Sequence, residues 1–543
     1  MRLLRKIIPI ILAVILVACG EKTHPPRLVV LIVVDHFPQY AYEHYQPLFT
    51  GGLKWLSDHG VTFDNFHLEH GYASTGPGHF VLGSGQHPGP AGMLGNSFYD
   101  KRVGRDVYCI ADSNAREIGL PSYPVSYENV PGSTFGDWLK AASPQSKVVG
   151  VGCKDRAAIL LSGREADLAM WYNWRGSFTT NSYYTDTIPD WLHEFNTDNT
   201  ILAYRDSIWT KSLPDSIYGL YAHADSFPGE DDRYMNEAYS PVFPIGFEPA
   251  WDDGRVYGEI GGRPWLDRLT LELAATATEA LDLGSDDIPD VLTIGLSVMD
   301  IVAHYYGPFS HETMDLLVKM DGYLQSFIDD LDEQAGLENI VFAFTTDHGG
   351  LPLPEHWTGI MGRSGGRIDQ EDLKAAREKA YAGIDELYGT HDFILRSWQS
   401  YFYDDAVMGS LGVDRAVVDS IIQVNLESVE GIARVYSKAE LQTATHADVN
   451  ALRLSRFIHP DLSPDLYTLV EAGWIYRGPT GTSHMTPYDY DSHIPLIFSS
   501  VDFEQSTRSD SVQMTDVATT LGHILGVEAP NPVDGLSLTP LQR

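Results

Sequence analysis

Five short runs rich in β-branched residues limit how this chain can fold: RLVVLIVV (27–34), KVVGVG (147–152), VLTIGLSV (291–298), IVFAFTT (340–346) and IPLIFSS (494–500). Each is short for a helix and too uniformly apolar for a strand with one wet face. They read as strands buried on both faces, the habit of parallel sheets. Helical patterns lie between them. In HETMDLLVKMDGYLQSFIDDLDEQAG (311–336), Leu317, Met320, Leu324, Phe327 and Leu331 recur at helical spacing and mark a core stripe. Strands alternating with helices predict an α/β fold: a doubly wound, mostly parallel sheet with helices on both faces. A chain of 543 residues with 43% hydrophobic and 20% charged content can bury such a core.

Two long stretches, about 162–290 and 351–477, interrupt the pattern. The first is rich in Trp and Tyr, as in MWYNWRGSFTTNSYY. Strands before and after them share one pattern, so both are expected as insertions on a single catalytic domain spanning 27–543. Most of their aromatics are expected in the core, with some at a substrate mouth. No repeat of 20–50 residues is found.

Ligands in open α/β sheets bind beyond the carboxyl ends of the strands. Here those ends carry chemistry. Asp35 follows the first run, and Lys154 and Arg156 follow the second in GCKDRAAIL. Asp300 and His304 follow the third in SVMDIVAHYYGP, Asp347 and His348 follow the fourth in TTDHGG, and His484 precedes the fifth. Singly, an Asp at a strand end is an ordinary helix cap, and an Asp/His pair four apart an ordinary surface pair. Gathered at one sheet edge, three Asp and three His supply the nitrogen and oxygen donors that two zinc-like ions require.

The N-terminus and the charge set the compartment and exclude one class of partner. MRLLRKIIPIILAVILVACG has a basic start and an apolar run too short to span a bilayer comfortably, closing on Ala18-Cys19. It resembles a bacterial lipoprotein signal (1–19) with Cys19 as the lipidated residue, followed by a short linker (20–26). The expected location is exported and lipid-anchored to a bacterial membrane, facing the periplasm or the cell surface; an ordinary signal peptide or an uncleaved anchor is the alternative. A net charge of −37 argues against a nucleic-acid groove, and no obligate protein partner is inferred. Cys109 and Cys153 are the only other cysteines, as readily buried small residues as a disulfide.

The stretch YASTGPGHFVLGSG (72–85) places Ser74, Thr75 and His79 in a glycine-studded turn ahead of an apolar run. It is a phosphate cradle, a turn bearing a nucleophile, or a plain helix start. It lacks G-x-x-x-x-G-K-[ST], so a Walker cradle is excluded. A helix opening at Thr75 would offer free backbone N–H groups to a phosphate, with Gly76 and Gly78 keeping side chains out of the anion's way.

The motifs STGPGHFVLGSG, GMLGNSFYD, KVVGVGCKDRAAIL, SVMDIVAHYYGPFSHE, FAFTTDHGG and GTSHMTPYDYDSHIPLI occur in one order over roughly 29–538. In this the chain resembles the alkaline phosphatase superfamily, and more narrowly the phosphate-irrepressible (PafA-type) alkaline phosphatases with a threonine nucleophile. The resemblance implies a phosphate monoester hydrolase acting on small monoesters through a phosphothreonine at Thr75, with two zinc ions. Asp300, His304 and His484 would hold one ion; Asp35, Asp347, His348 and Thr75 would hold the other. His493 is the second candidate for the last histidine. Asn96, Lys154 and Arg156 would contact the phosphoryl group, and His79 would be structural. Two positions depart from the pattern: His36 stands where Gln or Gly commonly follows the first Asp, and Cys153 replaces an apolar residue before Lys154. The rival readings are a phosphodiesterase or nucleotide pyrophosphatase on the same scaffold, and a lipid-anchored metal- or phosphate-binding protein without catalysis.

Overall fold

A computed structural model describes residues 25–118, 124–231, 242–397, 399–539 and 541. Its main sheet contains β1 (Leu28–Val34), β2 (Gly60–Phe63), β3 (Val148–Gly152), β4 (Leu168–Tyr172), β5 (Phe178–Thr179), β6 (Asp290–Leu296), β7 (Ile340–Thr345), β8 (Leu496–Ser499) and β9 (Ser506–Arg508). Their spatial order is β9-β2-β8-β7-β1-β6-β3-β4-β5. Every residue of β1 is buried, because parallel neighbours β6 and β7 flank it and helices cover both faces.

Alternation along β1 feeds two cores. Leu28, Val30, Ile32 and Val34 join one with α3 (Pro264–Ala280), α4 (Val298–Tyr306) and α5 (His311–Ala335). Val29, Leu31 and Val33 join the other with α1 (Thr75–Ser84) and α2 (Asp155–Ser162). The stripe Leu317, Met320, Leu324, Phe327 and Leu331 lies wholly in the first core, as its spacing predicts.

The sheet is mostly parallel, and β5 and β8 run against it. An apolar run reads the same in either direction, so the fifth run carried no sign of its reversal. The reversal has a consequence for the site. Leu496, at the start of β8, pairs with Thr345 at the end of β7. Residues preceding β8 therefore reach the edge that residues following the parallel strands reach.

The stretch 162–290 supplies β4, β5 and α3, and packs Trp209 and Tyr218 into the first core. Within 351–477 a separate four-stranded sheet forms, ordered Ile394–Ser397, Ser400–Tyr403, Leu466–Val470, Ile432–Ser437. It builds its own core with helices Gln370–Tyr388 and Arg415–Leu426. Among the described residues no helix is long and apolar enough to cross a membrane. The leader 1–19, Cys19 and linker residues 20–24 lie outside the described residues. Cys109 and Cys153 are buried and unpaired.

Candidate active site

The carboxyl edge of the sheet converges on one place. Asp35 directly follows β1, and Asp347 and His348 lie just past β7. Asp300 sits in the first turn of α4, one turn ahead of His304, so helical geometry puts both on one face. His484 arrives from the segment before β8. Lys154 is the residue before α2, and Arg156 lies in its first turn.

Two donor groups result, His36/Asp300/His304/His484 and Asp35/Asp300/His348, each with its ligand atoms within 4.8 Å of one another. In the first, His304 Nε2 is 3.3 Å and His484 Nε2 3.9 Å from Asp300 Oδ1. In the second, His348 Nε2 is 3.4 Å from Asp35 Oδ1; Asp347, outside both groups, places Oδ2 3.6 Å from the same nitrogen. Backbone carbonyls set the tautomers. Nδ1 of His304, His348 and His484 lies 2.8, 2.8 and 2.6 Å from the carbonyls of Thr482, Gly349 and Ala73, so each Nδ1–H donates outward and each Nε2 faces the carboxylates. Asp35 Oδ1, Asp347 Oδ2 and His348 Nε2 are buried without hydrogen-bond partners. Orphaned carboxylate oxygens facing imidazole nitrogens are a poor arrangement alone and a good one around divalent cations. The donor set therefore fits zinc-like ions.

Lys154 ties the two groups together. Its Nζ donates to Asp35 Oδ2 at 2.6 Å and to Asp300 Oδ2 at 2.7 Å. Burial opposes its charge, yet Asp300 and Asp35 keep its pKa above the ordinary lysine value. Burial also works to raise Asp300, but the charges of Lys154 and His304 hold it well below the carboxylate range. Asp35 goes the other way, pushed up to about 6 by burial and by the like charges of Asp300 and Asp347. Burial drives His484 well below the usual imidazole value, so it is neutral and able to ligate near pH 7. His348 is raised despite burial, because Asp347, Asp35 and Asp300 surround it. The field that attracts a proton there would equally attract a metal ion.

Thr75 opens α1 and is buried at the edge of these groups. Arg156 reaches it with a terminal nitrogen 3.4 Å from Oγ1, and the other terminal nitrogen is 3.4 Å from Tyr108 OH. Asn96 Oδ1 accepts from the Gly76 N–H at 2.6 Å, fixing Asn96 beside the same helix start. Gly78 serves a different purpose from the one its sequence suggests. A Cβ there would lie 2.4 Å from the Asp347 carbonyl oxygen, so the missing side chain lets α1 approach the Asp347 backbone. His79 bridges the two elements: its Nδ1 lies 2.9 Å from the Thr75 carbonyl and 3.2 Å from Asp347 Oδ2.

The structure thus brings together Asp35, Thr75, Asn96, Lys154, Arg156, Asp300, His304, Asp347, His348 and His484. His493 is elsewhere, stacked on His67 with ring centroids 4.5 Å apart and Nε2 2.9 Å from the Asp64 carbonyl. Two residues were not anticipated as part of the site. His36 stands inside the first donor group. Asp267 of α3 accepts from the Ser297 and Val298 N–H groups at 3.0 and 3.2 Å, anchoring the start of α4. No local signal marks a helix cap supplied from another helix thirty positions away in sequence.

The fold and the site define a class. The chain belongs to the type I phosphodiesterase / nucleotide pyrophosphatase family, whose model matches residues 29–493, within the alkaline phosphatase superfamily. It is 30% identical over 525 residues to alkaline phosphatase PafA of Elizabethkingia meningoseptica, covering 95% of this chain and 94% of that one. It is 29% identical over 529 residues to alkaline phosphatase PhoV of Synechococcus elongatus, covering 95% and 93%. The crystal structure of wild-type PafA superposes with a TM-score of 0.87 at 27% identity, covering 96% of this chain and 99% of that one. The PafA-type likeness expected from the motifs, and the mostly parallel α/β fold, are borne out.

Proposed function

We propose that this protein is a metal-dependent phosphate monoester hydrolase that works through a phosphothreonine on Thr75 at a two-zinc site. The observation that carries the reading is the placement of Thr75 Oγ1 within 3.4 Å of Arg156, at a helix start beside two donor groups. Asp300, His304 and His484 would hold one ion, and Asp35, Asp347, His348 and Thr75 the other. Such ions would make the Thr75 alkoxide accessible and stabilise charge on the departing oxygen.

The chain's own groups do the rest. Thr75 Oγ1, its proton given up, forms a bond to phosphorus as the ester P–O bond breaks, which leaves the phosphoryl group on Thr75 while the alcohol takes up a proton and departs. Water then bonds to phosphorus as the Thr75 Oγ1–P bond breaks, one water proton returns to Thr75 Oγ1, and inorganic phosphate leaves. Arg156, Lys154, Asn96 and the N-terminus of α1 face the nonbridging oxygens, where charge spreads in a loose transition state. They supply the local positive charge that a chain of net charge −37 lacks over its surface. A cavity of about 370 Å³ opens beside His484, lined by Tyr72, Phe98, Trp474 and Arg477 among others, and offers room for the organic part of the ester.

The family model's own description favours a second reading, a phosphodiesterase or nucleotide pyrophosphatase. Turnover of an aryl monoester, an aryl diester and an aryl sulfate by zinc-reconstituted protein separates the readings. The monoester is expected to be preferred by orders of magnitude; preference for the diester would replace the proposal with its rival, and stoichiometric binding without turnover would remove both. The same reading places the body outside the cytoplasm on a lipidated Cys19. Incorporation of labelled fatty acid, lost in Cys19→Ala, tests that part.

A further inference from the structure

His36 takes up a conformation that needs explaining. It follows β1 with φ at +66°, the left-handed region that side-chain-bearing residues rarely adopt. Its ring is fully buried, with centroids 5.1, 5.4 and 5.2 Å from those of His304, His348 and His484. Its backbone N–H donates to Asp347 Oδ1 at 3.1 Å, so the left-handed turn itself lies against the carboxylate next to His348. Room for the ring comes from Gly350, where a Cβ would fall 1.7 Å from His36 Nε2. That nitrogen has no hydrogen-bond partner, while Nδ1 on the other side of the ring lies 3.1 Å from Asp300 Oδ1.

Three ring nitrogens then converge on a single oxygen. His36 Nδ1, His304 Nε2 and His484 Nε2 lie 3.1, 3.3 and 3.9 Å from Asp300 Oδ1. With their Nδ1–H groups spent on the Thr482 and Ala73 carbonyls, His304 and His484 turn bare Nε2 lone pairs toward that oxygen, an arrangement that a cation among them would relieve. Asp300 does not need His36 to fix it, because Lys154 already holds Oδ2 at 2.7 Å. Donors on one zinc-like ion, each about 2 Å from it, lie within roughly 4 Å of each other, and the four donor atoms here lie within 4.8 Å of one another, so a small inward movement would close them on an ion. We propose that His36 is a fourth protein donor, through Nδ1, to the ion of the Asp300/His304/His484 group. This inference rests on the two-metal reading above and adds to it a third imidazole at one of the two ions.

The test uses the full-length protein loaded with cadmium-113, whose resonance moves downfield as nitrogen donors are added. Two resonances are expected. In the wild type, proton–cadmium correlation should couple three imidazoles to one of them, one ring through Nδ1. His36→Ala and His36→Gln should both move that resonance upfield, leave the other in place, and weaken one zinc tenfold or more in chelator competition. Only two coupled imidazoles in the wild type would overturn the proposal, and this readout needs no variant to fold. Recovery of the wild-type resonance and zinc affinity in His36→Gln alone would also overturn it, since an amide can replace a hydrogen bond but not an imidazole ligand. His304→Ala checks the underlying reading separately: if it leaves both resonances untouched, the metal centre itself has been misassigned, whatever His36 does.

Discussion

Nζ of Lys154 donates to Asp35 at 2.6 Å and to Asp300 at 2.7 Å, so a single buried ammonium joins Asp35 of the second donor group to Asp300, which both groups share. It neutralises two acids that would otherwise repel each other across the site. Lys154→Ala should destabilise the metal-free protein by about 3–5 kcal/mol, the usual effect of removing one partner from a buried pair. With zinc bound the loss should shrink, because the ions supply the missing positive charge. Urea unfolding with and without zinc measures both. Equal losses in the two conditions would mean that Lys154 does not compensate the metal-site charge.

Asp267 makes stability depend on pH from outside the donor groups. Burial pushes its carboxyl from the ordinary 3.8 up to about 6. Between about pH 4 and pH 6 the folded chain therefore keeps a proton on Asp267 that the unfolded chain has released. Stability from this group is present below pH 4 and is lost as pH rises through 6, by roughly 3 kcal/mol in all. Asp267→Asn does not titrate and keeps an oxygen for the N–H groups of Ser297 and Val298. The stability of wild type minus that of Asp267→Asn, from urea curves in metal-free protein, should fall between pH 4 and pH 6.5. A constant difference would show that Asp267 is ionised throughout.

How far the sequence carried depends on whether the signal was local. β1 with Asp35 behind it was legible, because an uninterrupted β-branched run can only be a strand with both faces covered. The stripe on α5 was legible because five residues repeat one period. The direction of β8 was not, since direction is set by its pairing with β7 and leaves no mark in Ile494 to Ser500. His36 could be seen only as a departure from a pattern. Its left-handed backbone and the space left by Gly350, more than three hundred positions away, exist only in the folded chain. Gly78 was read as making way for an anion, whereas it makes way for Asp347.

The two histidines near the C-terminal strand should separate in metal analysis. His484 Nε2 faces Asp300, while His493 is engaged with His67 and the Asp64 carbonyl. His484→Ala should lower zinc content from about two ions per chain to about one. His493→Ala should leave it unchanged and cost on the order of 1 kcal/mol of stability through the lost hydrogen bond. The opposite pattern would transfer the ligand to His493.

Thr75→Ala removes a hydroxyl and a methyl group from the first position of α1, one residue after the N-cap Ser74. Folding should survive, and turnover should fall by several orders of magnitude. Thr75→Ser should keep appreciable turnover and should trap a phosphoserine when quenched with acid during the reaction. Near-native activity in Thr75→Ala would remove Thr75 as nucleophile.

Arg156 should decide which esters are hydrolysed. A monoester dianion carries more charge on its nonbridging oxygens than a diester, whose second substituent masks one of them. The Arg156 guanidinium stands 3.4 Å from Thr75 Oγ1 and lies against Tyr108, which itself donates to Asp155 Oδ1 at 2.6 Å. Held in this way, the fork loses little freedom when it grips two phosphoryl oxygens at once. Arg156→Ala removes a charge-assisted contact from a largely desolvated site, worth on the order of 2–4 kcal/mol in the transition state. The monoester kcat/KM should therefore fall roughly 30- to 1,000-fold and the diester value much less, narrowing the preference between them. Arg156→Lys should recover only part of the loss, because an ammonium cannot take two oxygens in one plane. Steady-state kinetics on matched aryl esters measure all three. Equal losses on monoester and diester would mean that Arg156 does not recognise the extra charge, and the monoesterase reading would lose its physical basis.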